Sequence, residues 1–230
     1  MNYKNGSVIG INNIPTVSDA SGVWDLDAVQ QSREDAIWPV FLVRQLLDSS
    51  NLSSTTDPSY ITKTYTFNNG SEISGTTGRF VVHHYGTIGF QSDAQYDDIV
   101  IPTSGGDVTF DFEIASGGTQ NCETTRVNVG NSITAYAGAT FYALATGGSA
   151  NRWNRDSGGT GSFNTGNSVD GSGNANGYYV YTETSGSHPM SMLFRTPSYT
   201  LASSGTFSWR EGYRGSQLSV STRDVYWIVD

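Results

Sequence analysis

The chain is short of cysteine, histidine, positive charge and long apolar runs, and each shortage removes a class of function. Cys122 is the sole cysteine among 230 residues, so no disulfide can close within the chain and stability must come from core size or oligomerisation. One cysteine and three histidines, His83, His84 and His188, show no CxxC or HxxxH pattern and cannot complete a tetrahedral zinc site within one chain. Twelve Lys and Arg against 21 Asp and Glu give a formal net charge of −9. No basic stripe exists to displace counterions from a nucleic-acid backbone or an anionic bilayer. No apolar run approaches the roughly 18 residues of a membrane helix, and "NYKNGSVIGINNIP" after Met1 lacks the basic-then-apolar order of a secretory leader. The expectation is a soluble protein made in a cytoplasm, with neither nucleic acid nor membrane as partner.

What the chain does have is 27 glycines, 12% aromatic residues and only 14% charged ones, a texture of closely spaced strands joined by small polar turns. From residue 60 onward the pattern has period two, in "ITKTYTF", "RFVVHHY", "YDDIVI", "VTFDFEI", "ATFYALA", "GYYVYTE", "SMLFRTP", "GTFSWRE", "QLSVSTR" and "VYWIVD". That many short antiparallel strands predicts a mostly β fold, a β-sandwich or jelly roll, over residues 60–230. In "RFVVHHYG" the neighbouring His83 and His84 must point to opposite faces of a strand, so at most one lines any pocket.

The front of the chain differs. In "SGVWDLDAVQQSREDAIWP", residues 21–39, Ser21 or Asp25 can cap a helix in which Leu26, Val29 and Arg33 recur at helical spacing; Trp24 and Trp38 flank it and Pro39 closes it. Such a helix of about three turns is marginal alone and gains from burying its tryptophans against a neighbour. "VFLVRQLLD", residues 40–48, carries six apolar residues of nine and reads as a second helix or a buried strand, with the helix preferred. "SSNLSSTTDPS", residues 49–59, has no apolar face and reads as a linker. The expected division is an attachment arm over 1–59 and a β domain over 60–230.

One hairpin can be worked out. A two-residue turn at Gly105-Gly106 pairs Ile101 with Phe110, Ile99 with Phe112, Asp98 with Glu113 and Val100 with Asp111. One face is then apolar, and the other gathers Asp98, Asp111 and Glu113. Like charges across strands must be solvated or share a cation; for hard oxygen ligands that cation is calcium, in a structural role. The plainer alternative is a solvated acidic face. No cofactor is otherwise required.

Catalytic arrangements are thinly supported. No Gly-x-Ser-x-Gly elbow accompanies the histidines, and no glycine-rich phosphate loop stands between strand and helix. The Asp98, Asp111 and Glu113 carboxylates could flank a glycosidic bond, a reading that ranks last. Residues 147–177 form a Gly-, Ser- and Asn-rich excursion suited to function by contact, with Trp153 and Tyr178 as candidate glycan contacts.

Two resemblances sharpen these expectations. "VTFDFE", Trp153, "NGYYVYTETSGS", "SMLFRTPSYTL" and "GTFSWREGYRGSQLSVSTRD" resemble, in that order, the strands of MAM-type jelly-roll modules. There an Asp-Phe-Glu strand precedes a Trp, a Gly-Tyr-Tyr strand, a strand ending in Ser/Thr-Pro and a late Gly-x-Leu-x-Val strand. The likeness covers about half the chain. The family's disulfides cannot exist here, and "IGFQSDAQYDDIVI" resembles the closing strand of such a module yet precedes "VTFDFE", which implies a permuted jelly roll. The resemblance also implies a cation beside Glu113 and Asp98. Separately, "SGVWDLDAVQQSREDAIWP" is similar to the Gly-Val-Trp, short helix, Trp-Pro segment near the start of structural and appendage proteins of tailed phages, marine and cyanobacterial ones among them. That likeness implies a non-enzymatic virion protein, a capsid decoration, cement or tail-fibre-type module, docked on other virion proteins through Trp24, Leu26, Val29, Trp38 and Pro39. It would act in several copies, with a trimer expected. The rival expectation is a carbohydrate- or host-receptor-binding module.

Overall fold

Alternating apolar and polar residues fold as strands throughout. The computed structural model describes residues 44–52, 59–88, 93–113, 120–121, 132–134, 138–145, 152–160, 165–183, 188–213 and 221–230. In chain order the strands are β1 (Arg44–Leu52), β2 (Tyr60–Phe67), β3 (Thr77–Ile88), β4 (Ala94–Thr103), β5 (Gly106–Phe110), β6 (Gln120–Asn121), β7 (Ser132–Thr134), β8 (Thr140–Ala145), β9 (Arg152–Ser157), β10 (Tyr178–Glu183), β11 (His188–Arg195), β12 (Tyr199–Thr200), β13 (Gly205–Tyr213) and β14 (Ser221–Val229). The first sheet runs β1-β14-β3-β11-β8-β7, with β12 also beside β3. The second runs β2-β13-β4-β10-β9-β6, with β5 also beside β4. All pairings are antiparallel, and the two sheets pack as a β-sandwich.

Several expectations change. The helix preferred over residues 40–48 gives way from Arg44 onward to an edge strand, because β1 can pair along β14 from Arg44↔Ile228 to Leu52↔Ser221. The sandwich therefore takes in part of the expected arm and linker. Trp24, Leu26, Val29, Trp38 and Pro39, with the helix expected over 21–39, lie outside the described residues. "VYWIVD" and the end of "QLSVSTR" form one strand, β14. The excursion expected over 147–177 contains a strand, β9, paired to β10.

Aromatic rings join the sheets. Phe80 of β3 meets Phe207 and Trp209 of β13 at centroid distances of 6.1 and 5.7 Å. Phe194 of β11 meets Phe110 of β5 at 6.1 Å and Trp153 of β9 at 6.4 Å. Trp153 is fully buried and packs 5.6 Å from Phe141. It is a core residue with no face to offer a sugar, and that corrects its place among the candidate glycan contacts.

Toward β1 and β2 the interior turns polar. Arg223, with no side-chain exposure, reaches Glu211 Oε1 at 2.7 Å and Asp48 Oδ2 at 2.8 Å. It also donates to Ser50 Oγ at 3.0 Å. Lys63 closes the group, 3.5 Å from Asp48 and 3.7 Å from Glu211, and Trp209 Nε1 donates to Glu211 Oε2 at 3.1 Å. Burial acts to lower the Arg223 pKa, but the Glu211 carboxylate and its neighbours more than offset it and hold the value above the usual one. Asp48 and Lys63 are inward charges on edge strands, a device that disfavours pairing with a foreign strand. Nearby, His84 is sealed between Thr182 Oγ1 at 3.0 Å and Ser221 Oγ at 2.8 Å, while His83 lies on the outer face as alternation requires.

Arg223→Ala would strand Glu211 and Asp48 without their buried counter-charge, and unfolding in urea should show a loss of about 3–5 kcal/mol. Arg79→Ala, which breaks a half-exposed pair with Asp230, should cost under about 1 kcal/mol. Equal losses for the two variants would deny the buried group its structural role.

Candidate functional site

The outer face of the second sheet is covered by the connection from β9 to β10, and strand β4 holds that cover. Its inner-face residues Ala94 and Tyr96 enter the core. The residues between and before them, Asp93, Gln95 and Asp97, point outward yet are buried. Each grips one point of the connection. Thr165 Oγ1 donates to Asp93 Oδ2 at 2.8 Å, the Asn167 N–H to Gln95 Oε1 at 2.7 Å and the Gly171 N–H to Asp97 Oδ2 at 2.7 Å. The pleat of a strand thus supplies a row of acceptors two residues apart. Bare backbone lets the layers close: a Cβ at Gly212 would lie 2.4 Å from Asn167 Nδ2, and one at Gly171 2.9 Å from Asp97 Oδ2. The far end of the connection turns on Asp170, whose Oδ1 accepts from the Asn174 N–H at 2.7 Å.

A bulge interrupts β4 at this site. Opposite β13 the pairing passes from Ser208↔Val100 to Arg210↔Asp97, so β4 carries an extra residue. Asp98 takes φ 46° there, and Phe112, just past the end of β5, takes φ 55°. A bulky residue at positive φ costs of order 1–3 kcal/mol. Full burial of Phe112, 6.0 Å from Phe194, and the 2.6 Å bond from Arg155 Nε to its carbonyl offset that cost.

The hairpin register differs from expectation. The turn falls at Ser104 and Gly105, so Ile99 pairs with Phe110 and Ile101 with Val108. A two-residue slip preserves the apolar face, since alternation has period two, but Asp98 does not pair with Glu113. The three expected cation ligands are engaged separately. Asp98 Oδ2 lies 3.2 Å from Arg210 Nε and accepts from Ser172 Oγ at 3.1 Å. Asp111 Oδ1 accepts from the Glu113 N–H at 3.1 Å, and Glu113 Oε1 from the Tyr178 N–H at 2.5 Å. Among the described residues no three His, Cys, Asp or Glu side chains group as ligands for a metal ion. Tyr178 is half-buried, with the Arg155 guanidinium 3.5 Å over its ring.

Burial, then the nearby Asp98 charge, raises the Asp97 pKa to about 8 against the pull of the Gly171 and Asp98 N–H groups. The clamp therefore holds a proton at neutral pH. Burial holds His84 at about 3, with His83 and Arg223 adding to the effect, so it stays neutral. The alternating "DAQYD" of residues 93–97 was the available signal for the clamp; its polar positions share a face with no apolar partner.

No protein-family model, curated protein or solved structure matches the chain. Its functional reading rests on its own geometry.

The first sheet presents a different outer face. Arg195 on β11, Val81 on β3, Tyr226 on β14 and Leu46 on β1 form one row across the strands. Tyr226 and Tyr85 both donate to Asp224 Oδ2, at 2.7 and 3.0 Å. Burial opposes ionisation of Asp224, but hydrogen bonds from Ser49, Tyr226 and Tyr85 outweigh it and hold the pKa below its usual value. The Arg44 guanidinium lies 3.7 Å over the Tyr226 ring, and Arg195 donates to the Tyr142 hydroxyl at 2.6 Å.

The pH dependence of stability follows from Asp97, His84 and His83. A carboxyl raised from 3.8 to about 8 gives stability that is lost as pH rises through that window. A histidine lowered from 6.5 to about 3 gives stability that is lost as pH falls through its own. Burial lowers His83 to about 4 as well, and it acts in the same sense as His84; each slope is at most roughly 1.4 kcal/mol per pH unit, so between about pH 4 and 6.5 the two histidines together outweigh Asp97 and stability rises with pH. Urea unfolding should show stability falling between pH 6.5 and 8 and Asp97→Asn removing that fall. His84→Gln should leave a nearly flat profile between about pH 4 and 6.5, where His83 alone then opposes Asp97; a flat wild-type profile above pH 6.5 would contradict the buried proton on Asp97.

Proposed function

We propose that the chain is a non-enzymatic structural module of a tailed-phage virion, a capsid decoration, cement or tail-fibre-type protein held to the particle by the residues ahead of β1. The observation that carries this reading is the junction. Residue 44 passes directly into an edge strand that pairs along β14 and is tied inward by Asp48 to Arg223 and Lys63. A pull on the preceding segment is taken up by a whole ladder in shear and by a buried ion group, which suits a rigid module on a tether. Trp24, Leu26, Val29, Trp38 and Pro39 are the proposed docking residues. Several copies, a trimer in this reading, would convert weak single contacts into firm attachment.

The finer fold proposed is a jelly roll. What supports it is the strand order: the chain visits β1, β2, β3, β4, β10, β11, β13 and β14 so that one sheet contains β1-β14-β3-β11 and the other β2-β13-β4-β10. This is the interleaving of two Greek keys, with β5 to β9 as an insertion that widens both sheets. That order follows the chain without the permutation that the MAM-type likeness implies.

Removing residues 1–43 leaves β1 whole and is the decisive variant. It should melt cooperatively like the full chain and fail to join particles; normal incorporation would refute the tether. Truncation to residue 52 also removes Asp48 and its hold on Arg223, so unfolding of that variant would report on the core and not on attachment.

A further inference from the structure

The turn between β2 and β3 carries an inference independent of attachment. Asparagine followed by glycine is a covalent weak point, because the glycine nitrogen can attack the asparagine side-chain amide and no Cβ obstructs ring closure. The chain holds three such pairs, at Asn5, Asn69 and Asn176. Asn5 lies outside the described residues, and the structure treats the other two in opposite ways.

Asn69 is exposed at the tip of the crossing from the second sheet to the first. The Ser71 N–H donates to Asn68 O at 3.1 Å, which closes a β-turn with Asn69 and Gly70 at its centre. Gly70 takes φ 83° and Asn69 is not at positive φ, the pattern of a type II turn, which favours glycine at its second central position. Among the described residues no acceptor meets the Gly70 N–H, and a Cβ at Gly70 would meet nothing within 4 Å. The amide and the attacking nitrogen are therefore both open to water. Behind the tip the crossing is anchored. Ile73 is buried in the core, Ser74 Oγ donates to Ser203 O at 2.6 Å, and the Gly75 N–H donates to Ala202 O at 3.0 Å. A change confined to residues 69 and 70 leaves those anchors in place.

Asn176 is exposed as well, but its glycine is engaged. The Gly177 N–H donates to Asn174 O at 3.2 Å, and the Asn176 N–H donates to Asn174 Oδ1 at 3.0 Å. Gly177 is buried and packed against the Asp170 and Glu113 carboxylates. Attack requires the glycine nitrogen to give up its proton. Two adjacent carboxylates oppose the negative charge that this creates, and the bond to Asn174 withholds the nitrogen until the loop opens locally.

We propose that Asn69 is a site of spontaneous deamidation, and that the fold protects Asn176 although it bears the same motif. The Gly70 nitrogen bonds to Asn69 Cγ, and the side-chain nitrogen leaves as ammonia, giving a cyclic imide. Water then adds to either imide carbonyl and opens the ring, leaving aspartate or its β-linked isomer. Water is the one co-reactant. The product carries an added negative charge at the end of the sandwich, and the β-linked form lengthens the main chain by a methylene.

The test is peptide mapping by mass spectrometry of the full chain after prolonged incubation at neutral pH, folded and in urea. In the folded chain the Asn69 peptide should gain the mass difference between a hydroxyl and an amino group about tenfold faster than the Asn176 peptide, which must first open locally. In urea the two should convert at similar rates, since the unfolded chain protects neither. An Asn69 peptide that stays unchanged in the folded chain, equal rates for the two sites there, or faster conversion at Asn176 would each overturn the proposal. So would the same tenfold difference persisting in urea, because the local sequence and not the fold would then set it.

Discussion

The pleat of β4 commits alternate side chains to opposite tasks, and the second sheet depends on that division. Ala94 and Tyr96 face the aromatic core, while Asp93, Gln95 and Asp97 reach outward to hold the connection from β9 to β10. The bulge at Asp98 then inserts one residue, so that Ile99 and Ile101 return to the core. Without it either Ile99 and Ile101 would face the loop or, with those two kept inward, Asp93, Gln95 and Asp97 would face the rings. The positive φ at Asp98 is the local cost of keeping both halves in phase.

The two broad faces of the sandwich consequently differ. On the second sheet the chain covers itself, and polar side chains buried there are spent on its own backbone. On the first sheet no described segment lies over the tyrosines and arginines, and their hydroxyls and guanidinium groups are organised by one another. Edge strands β1 and β2 turn Asp48 and Lys63 inward, which guards that flank against strand pairing. Among the described residues the sandwich has a closed face, an open face and a protected edge, with Arg44, the first described residue, at that edge.

Much of the fold was legible before any coordinates. Runs such as "ITKTYTF" and "GTFSWRE" became β2 and β13 because alternation over seven residues has no helical solution that buries one face. The opposite orientations of His83 and His84 followed from the same geometry. "VFLVRQLLD" misled, since six apolar residues in nine fit a buried helix as well as a strand; pairing with β14, more than 160 residues later in the chain, decided it. Trp153 misled because it sits in a glycine-rich polar stretch, and only the arrival of Phe141 and Phe194 from the facing sheet makes it core. The hairpin missed by a single turn position, since Ser-Gly and Gly-Gly are both acceptable turn pairs.

The sequence by itself determined which residues are apolar at every second position, and hence that the chain forms strands with one face to bury and has no disulfide to help. Local pattern suffices for that because the strand repeat is a property of the backbone. Only the tertiary structure decided which strands become neighbours, which polar residues are sealed and which cations meet a buried carboxylate. Those outcomes depend on contacts between residues far apart in the chain, as Asp48 with Arg223 or Asp97 with Gly171, and no window of sequence contains both partners.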